Sequence, residues 1–307
     1  MEIIEVSLDN PISVDNESVA CIGYFDGVHL GHQVLITKTL ALAKEHLIPA
    51  CVTFDIDPFS LFHPEQEPKH LTTLNDKLKL FKQYGIKRVF LLKFNQAFAQ
   101  LKPEVFLELL KQMKITQLVC GPDFHFGDKG SGDSEYLEKH FNVNICQELD
   151  YQDLKISSSL IKNALFYGDI ESANYCLSRS YSFEATVIKG KQQGKGIGFP
   201  TANLQVESEC VIPLDGVYAG KVLIDNDWYL AMINIGNNPT FNYRTHKSIE
   251  AHILDFDQSI YDKKLRVYFT CYLRCEHDFI SKERLISQLN KDRDAVRMLE
   301  GVYNDEA

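Results

Sequence analysis

Between residues 19 and 177 the chain alternates short apolar runs with stretches of helical period; past about residue 180 it carries only β-type runs until one last helix. Few folds accept that order. Strand candidates are Val19–Tyr24, Ile48–Phe54, Arg88–Phe94, Gln117–Cys120 and Val143–Cys146. Helix candidates among them are Gly31–His46, Leu74–Tyr84, Lys102–Lys114 and Ser134–Phe141. Pro103 falls at a first helical position and Gly85 where a helix would stop. Such alternation builds a parallel sheet with helices on both faces, and ligands of such sheets gather at the strand carboxyl ends. Two further helical runs, Ser158–Tyr167 and Ile170–Leu177, are split by Gly168-Asp169. The runs Tyr181–Lys189, Tyr218–Ile224, Trp228–Ile235, Ser248–Ile253 and Lys264–Leu273 follow, separated by turns rich in Gly, Asn and Asp. That spacing predicts a small antiparallel barrel. A terminal helix is expected over Ser281–Val302. The expected architecture is an α/β Rossmann-like domain over residues 1–180, then a small antiparallel β-barrel domain with a C-terminal helix over 181–307.

Composition narrows the function classes. A length of 307 residues suits two domains. No apolar run is long enough to span a bilayer, and the start Met-Glu-Ile-Ile-Glu-Val lacks the basic and apolar segments of a secretion signal. The eight cysteines include no C-x-x-C pair and lie mostly in apolar stretches, so reduced core thiols and a cytoplasmic location are expected. With 42 acidic against 32 basic residues, the net charge of −10 argues against a broad nucleic-acid surface. Small anionic ligands held by local amides and a divalent ion remain compatible with it.

Two clusters carry chemistry that a packed core does not require. In Gly196-Ile197-Gly198-Phe199-Pro200-Thr201-Ala202-Asn203, a hydroxyl and an amide two residues apart on an extended segment point the same way. That pair is the hard-oxygen equipment of a phosphate-bound Mg²⁺. The other cluster is Gly23-Tyr24-Phe25-Asp26-Gly27-Val28-His29-Leu30-Gly31-His32, at the end of a predicted strand. His29 and His32, three apart, are expected on one helix face, where free N–H groups attract phosphates. Zinc fits less well, since helical zinc histidines usually stand four apart with a glutamate between. Residues 190–196 fail as a Walker loop, because the spacing is one residue short and Gly196 replaces the Mg²⁺-binding Ser/Thr. Asp255-Phe256-Asp257 lacks the glycine of a protein-kinase D-F-G. The alternation of Ile249, Ala251 and Ile253 turns Glu250 to the opposite strand face, which pattern alone leaves open between solvent and a pocket. Trp228 and Tyr243 are candidate ring-stacking residues, and Lys282, Arg284, Lys291 and Arg293 read as a solvated helix face.

H-x-G-H after G-x-F-D-G resembles the nucleotidylyltransferase superfamily. A longer match runs through Leu71-Thr72-Thr73-Leu74, Gly121–Gly127, Ile156–Ser159, Gly198–Asn203, Asp215–Tyr218, Asn234–Phe241 and Glu250–Phe256. Over essentially the whole chain this is similar to the bacterial bifunctional riboflavin kinase/FMN adenylyltransferases, the FAD synthetases. The resemblance implies that residues 1–180 transfer AMP from ATP to FMN and release pyrophosphate. His29 and His32 would be catalytic contacts of the ATP phosphates, with Gly23, Phe25, Asp26, Gly27, Gly31, Ser158, Ser159 and Lys162 binding ATP and Asp57, Asp123 and Phe126 near the flavin. Residues 181–307 would phosphorylate riboflavin. There Lys195, Gly196, Gly198 and Pro200 would bind ATP, Thr201 and Asn203 would hold Mg²⁺ and phosphate, and Glu250 would take the proton of the riboflavin 5′-hydroxyl. The implied partners are ATP, riboflavin and FMN, with no nucleic acid, no membrane and a monomer or weak homo-oligomer. The chain departs from the family at Ile56-Asp57-Pro58-Phe59, where Pro-His-Pro-Arg is common, and at His125 and Lys162, where arginine is usual. These departures keep open a riboflavin kinase with a degenerate nucleotide-binding or regulatory front domain. A flavin-binding sensor or efflux-associated partner is the non-enzymatic alternative.

Overall fold

The structure, a computed structural model, describes the chain except residues 11, 45, 64, 66–67, 191–192, 207–209, 238–246 and 300–307. The side chains of Gln193, Lys195 and Asn237 also lie outside the described set. By packing the chain divides into two units, Met1–Ser158 and Ser159–Ala307. Among the described residues no helix is long and apolar enough to cross a membrane.

The first unit is built on six strands, β1 (Glu2–Val6), β2 (Ser18–Ile22), β3 (Ile48–Phe54), β4 (Arg88–Leu92), β5 (Ile115–Cys120) and β6 (Val143–Ile145). They are all parallel, in the order β1-β4-β3-β2-β5-β6. Alternate strand residues serve opposite faces. Ala20, Ile22, Ala50, Val52, Phe90 and Leu92 join a core with Phe106 and Leu110 of α4 (Pro103–Gln112). Val19, Cys21, Cys51 and Val89 join another with Leu35 and Ile36 of α1 (Leu30–Leu42) and Phe81 of α3 (Leu74–Gln83). The unit also carries the short helices α2 (Pro58–Phe62) and α5 (Ser134–His140). From β2 the chain steps outward through β3 to β4, then crosses back to put β5 on the other side of β2. The carboxyl end of β2 is therefore the switch point at which such sheets bind ligands. The pattern above misses β1, whose glutamates hide it. As an edge strand, β1 leaves them in solvent, where Glu2 accepts from Arg88 Nε at 2.7 Å and Glu5 meets Lys93 at 2.9 Å.

In the second unit, β7 (Tyr181–Ile188), β8 (Ala202–Val206), β9 (Gly216–Ile224), β10 (Asp227–Asn237), β11 (Lys247–Ile253) and β12 (Lys264–Arg274) close a barrel in the order β7-β8-β11-β10-β9-β12. Every pairing is antiparallel. Burial along β7 alternates strictly, and Tyr181, Phe183, Tyr218 and Phe269 fill the interior. The helix α8 (Lys282–Met298) packs Val296 against a core of Phe199, Ala219, Met232 and Leu254. Its start is capped by Ser281, which accepts from Arg284 N–H at 3.4 Å. Strand β8 was not among the expected strands, since its residues read as part of the glycine cluster.

The packing division falls after Ser158, the first residue of α6 (Ser158–Phe166), and ahead of α7 (Ile170–Leu177), whereas the change in pattern falls near residue 180. Asn174 of α7 explains it: its amide donates to Phe269 O at 2.9 Å and accepts from Tyr181 N–H at 2.6 Å, tying the helix to the barrel. A change of periodicity marks where element type switches, not which core a helix faces.

Candidate active sites

At the end of β2 the backbone turns sharply. Phe25 (φ 59°) and Val28 (φ 44°) take the left-handed conformation, which a β-branched residue strongly avoids. Each such residue stores about 1–3 kcal/mol, which the surroundings must offset. They do so by burial and hydrogen bonds. Phe25 is fully buried, edge-on to Phe81 at 5.3 Å between ring centres. Asp26 Oδ1 accepts from Leu71 N–H at 2.8 Å and Thr72 N–H at 3.3 Å, and Gly27 N–H donates to Thr72 Oγ1 at 3.1 Å. Ser158 Oγ donates to Asp26 O at 2.8 Å. Phe25, Asp26, Thr72 and Ser158 thus shape the turn.

His29 does not lie within the helix, as its spacing suggested, but caps it in extended conformation. Its Nδ1 accepts the His32 backbone N–H at 3.4 Å, which leaves Nε2 as the ring's donor nitrogen. The two imidazoles stack at 3.6 Å with 19° between planes. A Cβ on Gly31 would stand 3.2 Å from the His29 ring, so glycine lets that ring lie close. His32 Nδ1 is buried with no hydrogen-bond partner. Burial, then the neighbouring His29 and Lys77, hold the His32 imidazole well below the usual histidine range, so it is neutral at pH 7. A strained turn, a helix amino end and two stacked imidazoles, that of His32 neutral, suit a polyphosphate.

The expected flavin-side residues sit on different elements. Asp57 caps α2, accepting from Phe59 N–H at 2.9 Å, and its other oxygen lies 3.8 Å from His70 Nδ1. Asp123 is exposed and accepts from Lys155 Nζ at 2.5 Å, a partner that no motif pointed to. His125 Nδ1 lies 2.8 Å from Asp123 O. Phe126 is buried against Phe106 and Phe124, so it works from the core. Ser159 and Lys162 lie along α6 in the second unit.

The barrel site is assembled by register. Asn203 of β8 and Asn234 of β10 both stand opposite Glu250 of β11, so the three make one cross-strand row. Thr201 Oγ1 donates to Glu250 Oε2 at 2.8 Å. Two residues along β11, His252 Nδ1 lies 2.7 Å from Pro200 O, fixing the loop that carries Thr201. Phe199 anchors the same loop in the core. Gly198 is needed for its backbone (φ +85°) and, like Gly196, leaves open space where a side chain would stand. A close approach occurs instead at Gly190, where a Cβ would overlap the Asn203 amide. Glu276 was missed by sequence reasoning: it accepts from Asn234 Nδ2 at 2.7 Å and occupies the room that Gly236 leaves. Lys282, expected on a solvated face, donates to Gly196 O at 3.3 Å. Trp228 packs on Tyr268 at 4.8 Å, while Tyr243 and the Lys195 side chain fall outside the described residues.

Fold and sites together define a two-part transferase of phosphorus-containing groups. The family model described as FAD synthetase matches residues 12–160, and that of riboflavin kinase matches 177–299. The bifunctional riboflavin kinase/FMN adenylyltransferase of Listeria monocytogenes is 35% identical, covering 95% of this chain and 96% of that one. That of Bacillus subtilis is 36% identical over 92% of each. A Streptococcus pneumoniae crystal structure described as a macrolide-efflux protein superposes with a TM-score of 0.89 at 31% identity, covering 97% of this chain and 99% of its own. The chain belongs to the bifunctional riboflavin kinase/FMN adenylyltransferase family.

Proposed function

We propose that the chain makes FAD from riboflavin in two ATP-dependent steps: residues 181–307 phosphorylate riboflavin to FMN, and residues 1–180 adenylylate FMN with release of pyrophosphate. The observation that carries the reading is a separate constellation in each unit, Thr201–Glu250 in the barrel and His29–His32 at the β2 switch point. Glu250 accepts the proton of the riboflavin 5′-hydroxyl as it attacks the γ-phosphate of ATP. Thr201, by donating to Glu250, orients that base and keeps its own lone pairs for a cation. Thr201 and Asn203 supply hard oxygens suited to Mg²⁺, which would neutralise phosphate charge there. Gly196, Gly198, Pro200 and Lys195 form the ATP loop.

In the first unit a phosphate oxygen of FMN attacks the α-phosphate of ATP, and the bond to pyrophosphate breaks. His29 Nε2–H and the His32 ring donate to the phosphate oxygens as that charge develops. Gly23, Phe25, Asp26, Gly27, Gly31 and Ser158 complete the nucleotide side, and Asp57, Asp123 and Phe126 the flavin side. Eight free thiols, most of them buried, support a cytoplasmic enzyme; the proposed assembly is a monomer or weak homo-oligomer. Timed chromatography of riboflavin, ATP and Mg²⁺ with the purified chain should show FMN first and FAD later. Absence of FAD from supplied FMN at high enzyme concentration would leave a riboflavin kinase alone; absence of FMN would sink the barrel assignment.

A further inference from the structure

The parallel sheet buries two cations, one at each end. Arg88 and Lys77 are each only 3% exposed. Arg88 sits at the amino ends of the strands and is fully matched, with Glu2 Oε2 at 2.7 Å, Asn16 O at 2.9 Å and Ser18 Oγ at 3.0 Å. Lys77 sits at the carboxyl ends and is matched differently. Its Nζ donates to Tyr24 O at 2.8 Å, Thr53 Oγ1 at 3.3 Å and Phe54 O at 3.4 Å, and stands 4.3 Å from the centre of the Tyr24 ring. These are neutral groups, and among the described residues no carboxylate lies within ion-pair distance of it.

The acids nearby, Asp26, Asp57 and Asp55, favour the charged amine only from beyond ion-pair distance, and each has an oxygen bonded elsewhere. Asp26 accepts from Leu71 and Thr72, Asp55 from Phe94 N–H at 2.9 Å, and Asp57 from Phe59. Leaving an ammonium buried without an anion costs several kcal/mol. A cation kept only to staple two strands would be better served by the arrangement at Arg88. Burial accordingly pulls the Lys77 amine down to about 8, against weaker support from Cys51, Asp26, Asp57 and Asp55, and its charge also disfavours protonation of His32.

We propose that Lys77 is a positioning residue for nucleotidyl transfer: held by the Tyr24 and Phe54 carbonyls and the Thr53 hydroxyl, it fixes the turn carrying His29 and His32 and presents to the polyphosphate a positive charge that no direct ion pair neutralises. The proposal rests on the adenylyltransferase reading of the first unit. The bound anion is the missing counter-charge, and the same ammonium keeps His32 an uncharged donor.

Two measurements on the full-length chain test it. In Lys77→Met, FAD formation from FMN should drop about 10²-fold, the loss typical of a preorganised electrostatic group. Riboflavin phosphorylation in the same preparation should be unchanged. The acid limb of the adenylylation pH profile should move to higher pH, because His32 protonates more readily once the cation is gone. Lys77→Arg should recover much of the rate. A Lys77→Met enzyme with wild-type rate and pH profile would overturn the role. The other measurement needs no variant: the Lys77 side-chain NMR signal is titrated with and without inorganic pyrophosphate. Its midpoint should rise when the anion binds, and an unmoved midpoint with pyrophosphate bound would overturn the counter-charge argument. Should the wild-type chain make no FAD at all, the adenylyltransferase reading fails, while the pyrophosphate titration still decides whether Lys77 answers an anion.

Discussion

The two candidate sites are built by opposite strategies. At the end of β2, the key side chains come from one contiguous stretch, residues 23–32, packed under burial and strain. In the barrel they come from β8, β10 and β11 and meet only because antiparallel register puts Asn203, Glu250 and Asn234 in a row. The first arrangement tunes chemistry through environment: His32 is kept neutral by what surrounds it. The other tunes it through alignment, so an error anywhere in the strand order displaces the base relative to its partners. A chain with both can lose either activity alone.

The sharpest way to break that contrast is Glu250→Gln, which keeps the shape and removes the base. FMN formation should fall by roughly 10²–10⁴, while FAD formation from supplied FMN stays at the wild-type rate. Parallel loss of both activities would mean that the units share one site. Its mirror image is His29→Ala. Removing the cap and the Nε2–H donor should slow FAD formation about 10²–10³-fold and leave riboflavin phosphorylation alone. Here the contiguous site gives a further readout, since His29 also holds His32 below its usual range. The remaining imidazole should therefore titrate at higher pH in the variant, measurable by NMR of its ring protons.

The contrast also governs what the sequence could tell. Most element types followed from periodicity, β1 and β8 excepted, and the β2 turn was legible because its glycines, aspartate and histidines are neighbours in the chain. Barrel register was not, because nothing local says that Asn234 and Asn203 flank the same glutamate. Glu276 lies beyond the end of β12 and acts on β10, so no spacing rule finds it. Lys77 failed for another reason: in Leu-Asn-Asp-Lys-Leu-Lys-Leu-Phe-Lys-Gln it looks like any surface lysine of an amphipathic helix. Only the fold shows that it points into the sheet. His29 was recognised by type and placed on a helix face with His32, whereas it caps the helix in extended conformation.

Gly220→Ala probes the alignment strategy at a distance from the chemistry. A Cβ there would overlap the Tyr268 carbonyl oxygen, and a backbone obstacle cannot rotate away. Strands β9 and β12 would have to separate, at a cost of about 1–3 kcal/mol. Thermal unfolding of the barrel should come at lower temperature, and riboflavin phosphorylation should weaken as β10 shifts with β9. Adenylylation of supplied FMN should hold below the new transition. Equal losses in both halves would show that the barrel does not carry its strain alone.

The smallest expected effect tests whether the contiguous site leans on its neighbours. Thr73 caps α3, with Oγ1 accepting Asp76 N–H at 3.1 Å. Thr73→Ala should cost the first unit about 1 kcal/mol and Thr73→Ser almost nothing, both read from chemical denaturation. Because α3 also carries Lys77, loosening its first turn puts the buried ammonium at risk without touching it. If the turn of residues 24–29 holds its own shape, FAD formation at 25 °C stays within about twofold of wild type, as a lost cap of that size leaves the helix folded. A drop as deep as that of the His29 variant would move the boundary of the site outward, from one contiguous loop to a loop and the helix that clamps it.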